Sequence, residues 1–212
     1  MKIDVAALRE EYSGAELDLG SVEKSPMAQF KKWFEEAVAG ELLEPNAMVL
    51  STFAEGTPDQ RTVLMKAYDE KGIVFYTNYE SKKARQIAAH AGVSILFPWY
   101  TLQRQVKITG KATKISMAES MAYFASRPFG SQLGAWVSQQ SEVITSRSIL
   151  EMKLAEMKEK FKSGKVPLPN FWGGYRIEPD TFEFWQGRPN RLHDRIFYEK
   201  SGSDWSQKRL SP

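Results

Sequence analysis

The sequence predicts a mainly β fold with flanking helices, an α+β antiparallel barrel and not a doubly wound sheet. Two positive observations and one absence carry this. Apolar runs of strand length follow one another between residues 47 and 115, separated by turn signals such as Asp69-Glu70-Lys71-Gly72. Strands joined by short turns pair antiparallel. Helical periodicity is found mainly on either side of this stretch, so helices pack around a strand-rich middle. No Gly-x-Gly-x-x-Gly or phosphate-loop motif marks a nucleotide-type α/β unit.

Residues 1–24 are polar and weakly patterned, and read as a mobile N-terminal arm with a short helix around Ala6 to Tyr12. The remainder, 25–212, reads as one domain. Ser25-Pro26 reads as N-cap plus first helical residue, Phe30, Trp33, Phe34 and Val38 follow at helical spacing, and Gly40 suggests the stop. Ala47 to Phe53 is a strand bounded by the turn-rich Glu55-Gly56-Thr57-Pro58-Asp59. Arg61 to Ala67 and Ile73 to Thr77 flank a hairpin turn, and Ser81 caps a short helix reaching Ala91. Val93 to Trp99 and Gln103 to Ile115 are the next strands; in the second, Val106 and Ile108 alternate with Gln105, Lys107 and Thr109. Ala118 to Ser126 is helical and stops at Arg127-Pro128. Ser146 to Phe161 reads as the longest helix, Gly164 to Pro169 as a loop, and three strands follow near 174–177, 182–185 and 195–198.

Composition narrows the chemistry. Lysine and arginine number 29 against 26 acidic residues, a balance too mild to imply nucleic acid or membrane but suited to small anionic partners. The absence of cysteine excludes disulfides, thiolate nucleophiles and cysteine-based zinc sites, and with only His90 and His193 no multi-histidine metal site is expected. Redox chemistry therefore needs an organic cofactor. The first residues lack a signal-peptide core and no apolar run is long enough to span a membrane, so a cytoplasmic location is expected.

Four constellations could carry function. Arg191, His193 and Arg195 alternate after Trp185, so an extended chain would put two cations and an imidazole on one face, suited to an anionic ring. Arg61 and Lys66 bracket an apolar strand core and, at odd separation, are expected on opposite faces; the plainer reading is a strand with charged ends. Tyr76 to Lys83 joins a strand end to a helix start rich in hydroxyls and lysines, a phosphate-binding pattern, against an ordinary capped helix with solvated lysines. Tyr123, Arg127 and Ser131 bring a phenol, a guanidinium and a hydroxyl together around a turn, either as a phosphate cup or as a surface tyrosine packed on an arginine. Gln105, with Gln139-Gln140-Ser141, adds amides able to read a heterocycle edge.

Taken in order, Arg61-Thr-Val-Leu-Met-Lys66, Phe75-Tyr-Thr-Asn78, Ser126-Arg-Pro128, Val166-Pro-Leu-Pro169, Phe171-Trp-Gly-Gly174, Phe184-Trp-Gln-Gly187 and Arg191-Leu-His-Asp-Arg195 resemble the pyridoxine (pyridoxamine) 5′-phosphate oxidases, as does nearly the whole chain from Leu8. The resemblance implies an FMN-binding split β-barrel, antiparallel and Greek-key-like, whose C-terminal segment serves dimerisation and substrate. It implies a homodimer with FMN at the interface and both chains contributing to each site. Family FMN contacts fall on Arg61, Lys66, Tyr76, Thr77, Lys82, Lys83, Gln105, Gln140, Ser141, Trp185 and Arg195. Family substrate contacts fall on Lys66, Tyr123, Arg127, Ser131, Arg191 and His193, with Arg9 and Tyr12 of the arm closing over the substrate in some members. Lys82 stands where other members carry arginine, a point charge in place of a fork. The implied reaction oxidises pyridoxine or pyridoxamine 5′-phosphate to pyridoxal 5′-phosphate, with O2 as acceptor and H2O2 as product; Arg191 and His193 are the expected catalytic residues. The alternatives are another split-barrel enzyme of flavin reductase type, a non-catalytic FMN or pyridoxal phosphate carrier, and a structural domain without flavin.

Overall fold

A computed structural model describes residues 3–8 and 10–212. Among them nine strands form one sheet: β1 (Ala47–Ala54), β2 (Thr57–Leu64), β3 (Ala67–Asp69), β4 (Gly72–Asn78), β5 (Gly92–Trp99), β6 (Arg104–Lys114), β7 (Trp172–Gln186), β8 (Asp194–Ser201) and β9 (Asp204–Leu210). The strands pair in the order β2-β1-β5-β6-β7-β4-β3, with β8 on β7 and β9 on β8. Five α-helices flank them among the described residues: α1 (Pro26–Ala39), α2 (Lys82–Ala89), α3 (Met117–Ser126), α4 (Phe129–Val137) and α5 (Ser148–Lys160). The mainly β class with flanking helices is as the sequence predicts. No helix of the described residues is long and apolar enough to cross a membrane.

The chain divides into two compact units. The first comprises the described residues up to Val49, Ser94–Thr109 and Pro179–Pro212. Its helix α1 starts as expected: the Ser25 hydroxyl accepts the Ala28 N–H, and Pro26 needs no donor at that position. Phe30 and Trp33 on its buried face meet Phe97 and Phe184, with ring centroids 5.0 and 5.3 Å apart. Each such buried ring contributes about 1.5–3 kcal/mol. Tyr198 is fully buried and donates its hydroxyl to the Glu23 carbonyl at 2.8 Å.

The second unit comprises Leu50–Val93 and Gly110–Glu178. Strand β4 is buried on both faces and pairs antiparallel with β7, Tyr76 opposite Gly174 and Asn78 opposite Trp172. The hairpin from β3 to β4 closes on Asp69 and Gly72, as the turn signal predicts. Helix α3 carries a capping box of Ser116 and Glu119.

The structure corrects several elements. The expected strand from Arg61 to Ala67 is two strands broken at Met65 and Lys66, because the chain there changes partner: β2 pairs with β1, β3 with β4. The turn before it is only Glu55-Gly56, both at positive φ, so Thr57 to Asp59 already lie in β2. The strands expected near 174–177 and 182–185 are one continuous β7, which exchanges β4 for β8; Pro179 falls between the two pairings, where its missing N–H costs neither a bond. Strand β9 and helix α4 were not anticipated, the latter because Gly130 and Gly134 dilute its apolar stripe. Helix α5 has 13 residues and α1 has 14, so α1 is the longer; Ser146 forms a turn before α5 instead of its first residue. The helix expected from Ala6 to Tyr12 is a single 3₁₀ turn, Val5–Ala7, started by the Asp4 carboxylate.

Candidate active site

A cleft of about 740 Å3 opens within the second unit. One wall is β2 from Asp59 to Leu64 with Lys66 beyond it, and another is the end of β4 running into the start of α2. Ser81 caps α2 by accepting the Ala84 N–H, leaving Lys82 and Lys83 in the first turn, where the helix dipole opposes a cation and favours an anion. Lys83 Nζ donates to Thr77 Oγ1 at 3.2 Å and Gln140 Oε1 at 2.8 Å. Burial, then repulsion from Arg61, pulls its pKa down to about 8, with Asp59 opposing. Arg61 donates to Thr52 Oγ1 and Gln86 Oε1 and pairs with Asp59 at 2.8 Å, and Lys82 meets the same carboxylate at 2.9 Å. Two cations therefore share one carboxylate with Lys83 in the same cleft, and the Lys82 backbone N–H donates to Ser141 Oγ at 3.2 Å. Cationic and hydroxyl groups placed this way can hold an anion.

The rest of the cleft is aromatic. Tyr123 stacks on Tyr76 at 3.8 Å, and Tyr76 on Trp172 at 5.4 Å. Flat packing here needs glycine behind it: a Cβ on Gly174 would stand 2.9 Å from the Tyr76 ring and 2.5 Å from Ile115. Arg127 caps α3 with its guanidinium 4.7 Å over Trp172. Its Nη1 is buried without a hydrogen-bond partner, alone in this among the described residues, and burial holds its pKa below the usual guanidinium value. Ser131 lines the same cleft from the first turn of α4, which starts after Pro128.

Arg61 and Lys66 both line this cleft, which corrects the expectation that they face opposite ways; the break after Leu64 resets the alternation. Lys66, Tyr76, Thr77, Lys82, Lys83, Tyr123, Arg127, Ser131, Gln140 and Ser141 line this cleft together with Arg61. Gln105, Trp185, Arg191, His193, Arg195 and Tyr12 belong to the first unit. Arg9 lies outside the described residues.

In that unit the shared face expected for Arg191, His193 and Arg195 does not form. Pro189–Arg191 is a 3₁₀ turn with Asn190 and Arg191 at φ 56° and 59°, and β8 begins only at Asp194. Arg195 is not a free cation: Nε and Nη2 bond the buried Glu183 at 2.8 and 2.7 Å, and Lys107 holds the other carboxylate oxygen at 2.6 Å. His193 packs against both Trp185 and Tyr12, at centroid distances of 4.6 and 5.3 Å. The Arg188 N–H donates to its Nδ1 at 3.1 Å, which puts the proton of the neutral ring on Nε2. Burial, then Arg191, lowers its pKa.

Sequence reasoning missed Asp59, Trp172, Glu183 and Arg188. Asp59 stands two residues before Arg61, the same-face spacing of a strand, and could have been found once Thr57 to Asp59 were read as strand. The bonds of Arg188 and Glu183 leave no local pattern.

Comparison with known proteins fits this arrangement. A family model described as pyridoxamine 5′-phosphate oxidase matches residues 34–161, and one described as the pyridoxine 5′-phosphate oxidase C-terminal dimerisation region matches 172–212. A pyridoxine/pyridoxamine 5′-phosphate oxidase of Crocosphaera subtropica is 58% identical, over 99% of this chain and all of that protein. One of Prochlorococcus marinus is 55% identical over 99% and 96%. Among solved structures, PhzG from Burkholderia lata, in complex with tetrahydrophenazine-1-carboxylic acid, superposes with a TM-score of 0.89 at 27% identity, covering 96% of this chain and 100% of that one. A pyridoxamine 5′-phosphate oxidase-related FMN binding protein from Nostoc punctiforme (TM-score 0.67, 17% identity, 86% and 97% coverage) shows the same split-barrel fold.

Proposed function

The chain belongs to the pyridoxine/pyridoxamine 5′-phosphate oxidase family, and from that membership we propose that it oxidises pyridoxine or pyridoxamine 5′-phosphate to pyridoxal 5′-phosphate with FMN as cofactor. The observation that carries the reading is the buried, unpartnered Nη1 of Arg127, in the same cleft as a second cationic corner. The reaction brings two phosphates, one on the cofactor and one on the substrate. A cleft of about 740 Å3 is within the usual range for a bound organic ligand.

The residues fit FMN. Arg61, Lys82, Lys83, Thr77 and Ser141 supply charge, hydroxyls and a helix N-terminus for its phosphate. Gln105 and Gln140 supply amides for the ring edge, and Tyr76, Lys66, Trp185 and Arg195 complete the set. Held there, FMN would supply a hydride acceptor for the substrate's 4′ carbon, with dioxygen as final electron acceptor and hydrogen peroxide as product. Lys66, Tyr123, Arg127 and Ser131 anchor the substrate phosphate, so binding energy at that end orients the carbon at the other. Arg191 packs over the substrate ring. His193, neutral and protonated on Nε2, donates a hydrogen bond to the reacting substituent. Tyr12 covers the bound substrate. The active form is a cytoplasmic homodimer with FMN at the subunit interface, each copy contributing to both sites. The family description of residues 172–212 as a dimerisation region supports that assembly.

The test is anaerobic. FMN-loaded protein is mixed with pyridoxine 5′-phosphate while the visible flavin absorbance is followed. Bleaching that reverses on admitting air, with aldehyde formed, is the expected result. Protein that stays yellow refutes the oxidation.

A further inference from the structure

Asp194 stands beside His193, and the proposed chemistry leaves it unused. Its carboxylate is 13% accessible, and both oxygens are engaged. Oδ1 accepts from Arg209 Nη1 at 2.7 Å; Oδ2 accepts from the Leu17 N–H at 3.1 Å and forms an ion pair with Arg188 Nε at 3.3 Å. Both arginines then reach the same N-terminal segment. Arg188 Nη1 donates to the Gly14 carbonyl at 2.6 Å, and Arg209 Nη2 donates to the Leu17 carbonyl at 3.1 Å and the Asp18 carboxylate at 2.8 Å.

That segment leads straight to Tyr12. The Tyr12 ring packs edge-on against His193 at 5.3 Å and Trp185 at 5.7 Å. Its seat is close-fitting: a Cβ on Gly187 would lie 2.9 Å from the Tyr12 ring, and one on Gly14 would lie 2.1 Å from Gln186 Nε2 and 2.6 Å from the Gly187 carbonyl. Arg188 also closes the circuit from the other side, since its backbone N–H holds His193 Nδ1. One carboxylate thus ties Tyr12 and His193 together through two arginines and a backbone amide. Isolated exposed ion pairs contribute little, but a partly buried carboxylate shared by several charged donors is of the stronger kind.

We propose that Asp194 is a positioning residue: it clasps residues 14–18 so that Tyr12 and His193 meet the substrate as one preformed pair. The proposal rests on the reading above that these two side chains face the substrate. Ordering the segment beforehand removes an entropic cost from substrate binding. The larger effect belongs in KM: the side-chain bonds of Asp194 reach no residue assigned to FMN, and its link to that set runs through Trp185, on which Tyr12 and His193 pack.

The experiment uses the FMN-loaded enzyme. Asp194→Asn keeps an acceptor for the Leu17 N–H but removes the charge that holds both arginines. Gly14→Ala disturbs the same seat while keeping every charged group of the clasp. Both variants are expected to raise KM for pyridoxine 5′-phosphate about tenfold, the scale of one lost charge-assisted bond. Cleavage after the exposed Glu16 by a glutamate-specific protease should accelerate by a similar factor, and the FMN Kd should stay within about twofold. Wild-type KM in both variants overturns the proposal even if cleavage accelerates, since Asp194 is then a structural tie alone. A KM rise accompanied by weakened FMN binding also overturns it. His193→Ala separates the two levels. If it leaves KM and kcat unchanged, the underlying reading fails; if it impairs them while Asp194→Asn and Gly14→Ala do not, only the clasp fails.

Discussion

Replacing Arg127 by methionine keeps an unbranched apolar stem over Trp172 and removes the guanidinium. In the ligand-free protein that guanidinium leaves Nη1 buried and unpaired. An unpaired buried donor costs about 1–3 kcal/mol. The stack 4.7 Å over Trp172 returns only about 0.5–1 kcal/mol. Arg127→Met is therefore expected to leave the ligand-free protein as stable as wild type, or about 1–2 kcal/mol more stable. The substrate should report the opposite. A phosphate oxygen meeting Nη1 makes a charge-assisted bond of about 1.5–3 kcal/mol, so KM for pyridoxine 5′-phosphate should rise about tenfold to hundredfold. Free pyridoxine, which has no phosphate, should change less than about twofold. Urea denaturation of the ligand-free protein and steady-state rates with the two substrates measure both halves. Equal KM rises for the two substrates would remove Arg127 from the phosphate site, and a ligand-free protein weakened by more than about 2 kcal/mol would refute the account of its burial.

Lys83, with its pKa drawn down to about 8, should make FMN affinity fall as pH rises from about 8 to 10, because phosphate prefers the ammonium; Lys83→Arg, still charged, should bind with a flat profile in flavin fluorescence titrations. For stability of the ligand-free protein the sign reverses. The buried charge costs stability below pH 8 and the cost is relieved as pH rises toward the unfolded value, so wild type should gain on Lys83→Met over the same range in urea. His193 has its pKa lowered by burial and then by Arg191, so kcat/KM should fall as pH drops through a value below the usual histidine range, and Arg191→Met should move that acid limb to higher pH. Gly173→Ala would place a Cβ 2.2 Å from the Tyr79 hydroxyl and should cost about 1–3 kcal/mol in urea denaturation; an unchanged midpoint would mean Tyr79 yields freely.

Much of the cleft was legible because its chemistry is local. A strand end, a serine cap and two lysines within residues 76–83 point to an anion before any folding, Tyr123 with Arg127 left a phosphate cup and a packed pair both open, and the structure gathers both groups in one cleft. Regular strands such as β6 could be read from their alternation, and α1 from its cap and stripe. What failed were positions where the chain changes partner. Alternation carries across Met65 and Lys66 only if one strand continues, and it does not, so the opposite faces assigned to Arg61 and Lys66 were wrong. The two strands read near 174–177 and 182–185 are one strand, with Pro179 in the gap between its two pairings. The alternating faces of Arg191, His193 and Arg195 fail for a related reason, since the stretch turns at positive φ before it extends. The clasp of Asp194 on Leu17 joins residues 177 positions apart and has no local signature.

The turn at Asn190 and Arg191 sets a limit on how far this protein can be made heat-resistant. Two consecutive residues with side chains occupy the left-handed region, at φ 56° and 59°. Each such position costs about 1–2 kcal/mol that glycine would not incur. A stabilisation campaign would therefore rank glycine highly at both. At 190 the exchange gives up only an asparagine side chain, but at 191 it deletes the guanidinium assigned to the substrate ring. Thermal tolerance and turnover compete for the same residue, and libraries selected for heat alone should drift toward a sturdier and slower protein.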